Sequence, residues 1–76
     1  MPYERNADLP KQVRENLPQK AMTIYRKAYN NAWDQYKDPE DRRGNDSREE
    51  TAHRVAWSAV KNSYEKRGDG WVKKDD

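Results

Sequence analysis

Between Gln19 and Tyr36 the apolar residues keep step with an α-helix. At about 100° per residue, Ala21, Ile24, Tyr25, Ala28, Tyr29, Ala32, Trp33 and Tyr36 share one broad face, and Lys20, Thr23, Lys27, Asn30, Asn31 and Asp34 lie opposite. A stripe with this period cannot be a strand, whose side chains alternate every second residue. It has to be covered by another element. Small alanines set between large aromatics let a partner helix approach closely.

The sequence supplies that partner. Ser47, with Glu50 three positions later, forms a capping box and predicts a helix over 47–66. Ala52, Val55, Ala56, Ala59, Val60 and Tyr64 make its apolar face, with His53 and Trp57 on the rim, while Arg54, Ser58, Lys61 and Glu65 face water. Ahead of the central helix, Leu9, Val13 and Leu17 recur every four residues, which predicts a short helix over 8–16 with Asp8 as its N-cap. Pro10 suits an early helical position, and Pro18 ends this helix and opens the next, over 18–36. Residues 37–46 carry no apolar side chain, hold Pro39 and Gly44, and read as a charged loop. Gly68 and Gly70 end the last helix, and Trp71 and Val72 suggest a short extended segment over 71–73. We expect it to pair with the other extended stretch, residues 2–4. The predicted fold class is mainly α: one compact three-helix domain with a minimal two-stranded β-ribbon built from the N- and C-terminal segments.

Composition limits how such a domain can hold together. Only seven of the 76 residues are Leu, Ile or Val, none is Phe, and 39% are charged. A chain this poor in aliphatics lies near the disorder boundary. Its net charge of only +2 and its eight Trp and Tyr residues, each able to bury roughly 150–250 Å², argue for folding. Of 24 apolar residues, 19 lie between Leu9 and Tyr64 at helical spacings, leaving little for an apolar ligand pocket. No apolar run approaches the ~20 residues of a membrane span. The opening Met1–Asn6 is followed by no apolar stretch, so no secretory signal is expected. Without cysteine there is no disulfide framework and no thiolate zinc site.

Two motifs then carry a resemblance over essentially the whole chain. They are Ile24-Tyr25-Arg26-Lys27-Ala28-Tyr29-Asn30-Asn31-Ala32-Trp33-Asp34-Gln35-Tyr36 and Glu49-Glu50-Thr51-Ala52-His53-Arg54-Val55-Ala56-Trp57-Ser58-Ala59-Val60-Lys61, joined by Leu9-Pro10, Leu17-Pro18 and the opening Met-Pro-Tyr. In these the chain resembles the ChaB family. The resemblance implies a three-helix domain with a small sheet and a regulator of cation transport, linked by association to a sodium/calcium–proton antiporter. It also implies a cytoplasmic protein, held at the inner membrane only through a partner. Baculoviral relatives within the resemblance are described as candidate DNA binders.

The residues themselves offer several chemistries. Asp38, Glu40, Asp41, Asp46, Glu49 and Glu50 place six carboxylates within 13 residues, which suits weak binding of Ca²⁺ or Mg²⁺. If Gly44 takes the glycine position of an EF-hand, Pro39 and Arg43 occupy ligand positions, so a high-affinity cage is not expected. The plainer reading is a solvated loop whose acids pair with Arg42, Arg43 and Arg48 and complement the next helix. His53 with Glu49 and Glu50 could hold a borderline metal, or could simply pack its ring on a Tyr or Trp across the helix pair.

Segment 37–50 carries net −2 and leaves +4 on the rest of the chain. Lys20, Lys27, Arg54, Lys61, Lys73 and Lys74 could make phosphate contacts, so a DNA- or RNA-binding accessory domain is the alternative function, beside a general interaction module. No recognition-helix or RNA-stacking motif is present. With one histidine, no cysteine and no glycine-rich phosphate loop, no enzyme is expected and no cofactor is required. The leading reading is a monomeric adaptor acting on a membrane cation/proton antiporter.

Overall fold

A computed structural model describes residues 2–42, 44, 46–68 and 70–74. Three helices, α1 (Lys11–Asn16), α2 (Gln19–Gln35) and α3 (Arg48–Ser63), are followed by a hairpin of β1 (Tyr64–Arg67) and β2 (Gly70–Lys73). The three-helix architecture and the two-stranded ribbon agree with the sequence reading. Among the described residues, no helix is long and apolar enough to cross a membrane.

Proline sets the early boundaries. The helix expected from residue 8 begins instead at Lys11, because a residue before proline is pushed out of the α region. Leu9 is accordingly extended (φ −66°, ψ 154°). Asp8 belongs to a separate 3₁₀ turn, Asn6–Asp8, and its carboxylate meets the Arg5 guanidinium 3.3 Å away rather than capping α1. Leu17, before Pro18, is extended in the same way, and Pro18 is the N-cap of α2 rather than its first residue. Among the described residues of the charged loop, Pro39–Asp41 form a further 3₁₀ turn. At α3 the Ser47 hydroxyl accepts the Glu50 N–H at 3.0 Å. Among the described residues Glu50 makes no return bond to Ser47, so half of the capping box forms.

The aromatic stripe is the core. Tyr25, Tyr29, Ala21 and Ala32 of α2 meet Ala52, Ala56 and Val60 of α3, and Leu9, Val13, Leu17 and Tyr64 close the ends. Tyr25, Tyr29, Val13 and Val60 are no more than 1% exposed, and burial of each valine contributes roughly 1.5–3 kcal/mol. Ring pairs run through the core, from Trp33 to Tyr29 (6.1 Å between centroids), Tyr29 to Tyr25 (6.1 Å) and Tyr25 to Trp57 (5.5 Å). Arg48 ties the two long helices together. Its guanidinium lies 4.2 Å from the Trp33 ring centroid, and its Nε donates to the Trp33 carbonyl at 2.7 Å.

The ribbon has a different partner from the one expected. β2 pairs antiparallel with β1, from Tyr64 opposite Lys73 to Arg67 opposite Gly70, and residues 2–4 form no strand. α3 therefore ends at Ser63 rather than Lys66. Tyr64 turns extended (φ −130°, ψ 153°) and stays buried as the first strand residue. The turn that follows β1 needs positive φ at its first position, which Gly68 supplies at +57°. Residues 2–4 find their backbone partners in a side chain. The Asn30 carboxamide accepts the Tyr3 N–H and donates to the Tyr3 carbonyl, both at 2.8 Å, as a neighbouring strand would. Arg26 reaches the Asn6 side chain (2.9 Å) and the Glu4 carbonyl (3.3 Å), and Asn6 reaches Thr23 (3.0 Å). The strap so held lays Tyr3 on Tyr29, with ring centroids 4.9 Å apart.

Candidate functional site

Most of the chain's chemistry gathers on the side of α3 that carries His53. The helical period sets Glu49, His53 and Trp57 four residues apart, hence on one side. The Trp57 indole Nε1–H points to His53 Nε2 at 2.9 Å, and His53 Nδ1 meets the Tyr25 hydroxyl in a very short contact. An indole N–H can only donate, so Nε2 must be the acceptor and the imidazole proton sits on Nδ1. Nδ1–H then donates to the Tyr25 oxygen. Burial, followed by the neighbouring Tyr3, Tyr29 and Glu49, pushes the Tyr25 hydroxyl far above its ordinary value, so it remains a neutral phenol. Burial also pulls His53 below its ordinary value, and the Glu49 carboxylate opposes this only in part. A charged imidazolium would bring a second N–H against the Trp57 donor. The arrangement favours the neutral imidazole over the charged one.

Trp57 stands between His53 (centroids 6.0 Å) and Trp71 of β2 (5.5 Å). The hairpin is thereby tied to α3, and Trp71 covers this end of the core. Beside them an open groove of about 530 Å³ is lined by Glu50, His53, Arg54, Trp57, Ser58 and Lys61. It combines an aromatic floor with two basic side chains and one acid.

The residues singled out in the sequence are only partly brought together. Asp38 caps the 3₁₀ turn by accepting the Glu40 N–H at 3.1 Å, and Glu40 and Asp41 lie exposed within that turn. Asp46 is paired with Arg54. Glu49 and Glu50 open α3 and line a smaller pocket of about 260 Å³ together with His53 and Tyr25. Among the described residues, no three His, Cys, Asp or Glu side chains converge so as to hold a metal ion. Arg43, which the loop reading pairs with these acids, lies outside the described residues. Of the basic set, Arg54 and Lys61 share the groove; Lys20 and Lys27 are exposed on α2, and Lys73 and Lys74 are exposed at the hairpin end. His53 packs edge-on to Tyr25 across the helix pair (5.7 Å), as the rim reading holds. Its hydrogen bonds to two aromatics were not foreseen, although the four-residue spacing of His53 and Trp57 was visible.

The described geometry can be set beside known proteins. The model of the ChaB family matches residues 9–74. The chain belongs to the ChaB family. A relative from Escherichia coli K12 named "Putative cation transport regulator ChaB" is 59% identical over 75 residues, covering 97% of this chain and 99% of its own. The relative of the same name from Shigella flexneri matches to the same extent. The solution NMR structure of a putative cation transport regulator ChaB aligns with a TM-score of 0.81 at 57% identity, over 97% of this chain and all of that one. The helices and the two-stranded sheet are thus those of a ChaB-family domain, and the His53 groove lies within the matched residues.

Proposed function

We propose that this protein regulates cation transport by docking the α3 groove onto a membrane cation/proton antiporter, the partner that the resemblance implies. Agreement over nearly the whole chain with relatives named as putative cation transport regulators carries the reading. The groove supports it. Trp and Arg are side chains that dominate protein interfaces, and Trp57 and Arg54 sit here at one rigid helix face. Lys61 adds an exposed charge suited to an acidic segment of the partner. Only two of the six candidate basic residues share this surface, which fits a short acidic peptide better than a phosphate track. The test is cation-driven proton movement in inverted membrane vesicles with purified protein added. The proposal expects the rate to change saturably with added protein and the change to be lost in Lys61→Glu. An unchanged rate at all protein concentrations sinks it.

A further inference from the structure

A third cavity, of about 320 Å³, lies on the opposite side of Arg54, between the charged loop and the start of α3, lined by Tyr36, Asp41, Arg42, Thr51, Arg54 and Val55. Among the described residues, two buried polar atoms in its wall have no hydrogen-bond partner, the Thr51 hydroxyl and Arg42 Nε. Thr51 is only 6% exposed. Leaving such a group unmade costs about 1–3 kcal/mol, more for a charged one, so two in one small cavity need an explanation. Both can donate, and the guanidinium Nε–H can only donate. Arg54 adds a second guanidinium, steered by its pairing with Asp46. The edge of a guanidinium that includes Nε offers parallel N–H bonds matched to two oxygens of one anion. Asp41 in the same wall repels any anion and offsets part of the guanidinium charge, which leaves a weak positive field suited to a singly charged guest. Tyr36 and Val55 offer carbon surface to its body. The volume exceeds one water, at about 30 Å³, and lies near the lower end of small-ligand pockets.

We propose that this cavity binds a monocarboxylate with a small apolar body, its oxygens held by Arg42 and the Thr51 hydroxyl. The carboxylate comes either from a free organic acid or from a Glu side chain. Both present the same group to Arg42. The site shares only Arg54 with the His53 groove and is read on the isolated protein through Arg42 and Thr51, so its failure leaves the antiporter reading untouched.

The test is a titration followed by amide and Arg Nε–H NMR, using sodium butyrate, N-acetyl-glutamate amide and inorganic phosphate, each against sodium chloride at equal ionic strength. Saturable shifts at Arg42, Thr51 and Val55 with either carboxylate support the proposal, and the tighter of the two names the source. Thr51→Val removes a hydroxyl that has no partner among the described residues, and Arg42→Lys keeps the charge without the fork. Each is expected to weaken binding roughly tenfold, equivalent to about 1.4 kcal/mol, with the remaining spectrum intact. Three results overturn the assignment: shifts no larger than those from chloride, affinities unchanged in both variants, or phosphate bound more tightly than either carboxylate.

Discussion

Replacing Asn30 with alanine tests how the N-terminal strap is held. The carboxamide makes two half-buried bonds of 2.8 Å to the Tyr3 backbone. At about 0.5–1.5 kcal/mol net for each, their loss costs about 1–3 kcal/mol. The released backbone groups can be rehydrated as the strap lifts, so no full desolvation penalty is added. Alanine recovers about 0.5 kcal/mol of helix propensity. The balance is a destabilisation centred near 1.5 kcal/mol. For a domain of this size each kcal/mol lowers Tm by about 4–8 °C, which gives a fall of about 6–12 °C. Calorimetry of Asn30→Ala beside Asn31→Ala measures it. Asn31 is exposed on the same helix, and its replacement should leave Tm unchanged or slightly higher. The Tyr3 amide should exchange with solvent much faster in Asn30→Ala alone. A Tm within about 2 °C of the parent, with Tyr3 exchange unchanged, would mean that the strap is held by Arg26, Thr23 and Tyr29 without Asn30.

Three further outcomes are expected. His53 sits below its usual value in the folded protein, so its contribution to stability is complete above the unfolded value near 6.5 and falls away as pH drops below it. Urea unfolding at pH 7.5 and 5.5 should show this loss in the parent and much less of it in His53→Asn, and the Trp57 indole N–H resonance of the folded protein should begin to shift only at lower pH, where the folded imidazole takes up its proton. Gly68→Ala forces a left-handed φ of +57° on a side chain and should cost about 1–2 kcal/mol, loosening the hairpin and the Trp71–Trp57 contact; unchanged Trp fluorescence and Tm would contradict it. Titrating Ca²⁺ or Mg²⁺ to millimolar levels should give no saturable amide shifts over residues 38–50, since Asp38 is engaged as a cap and Asp46 with Arg54. A saturating response there would revive a metal-binding loop.

Much of the fold was legible because the chain has so few apolar residues to place. The Tyr25–Tyr29–Trp33 stripe and the Ala52–Ala56–Val60 face admit only a helix pair, and Ser47 marks the start of α3 by its own chemistry. The errors arise where one spacing serves two structures. Tyr64 follows Val60 by four residues, which suits a continuing helix, yet a strand beginning at Tyr64 buries the same ring. Whether the helix continues depends on β2, which lies beyond the helical window. Residues 2–4 did require a partner for their backbone groups, but that partner is the side chain of Asn30, which the stripe assigns to the wet face. A carboxamide bonding to backbone leaves no periodic signal. The candidate site was legible as rim residues only. Two direct bonds from His53, to Tyr25 across the helix pair and to Trp57 one turn on, depend on side-chain directions that spacing alone cannot give.

The claim that the α3 groove is the surface that meets a cation transporter is tested most directly by site-specific crosslinking. A photoreactive p-benzoylphenylalanine placed at Ser58, exposed in the groove, is compared in native membranes with the same group at Lys20, exposed on α2. Ser58 is expected to yield a covalent adduct identified by mass spectrometry as an integral membrane cation transporter, and Lys20 is not. No transporter adduct from Ser58, or equal adducts from both positions, would contradict it.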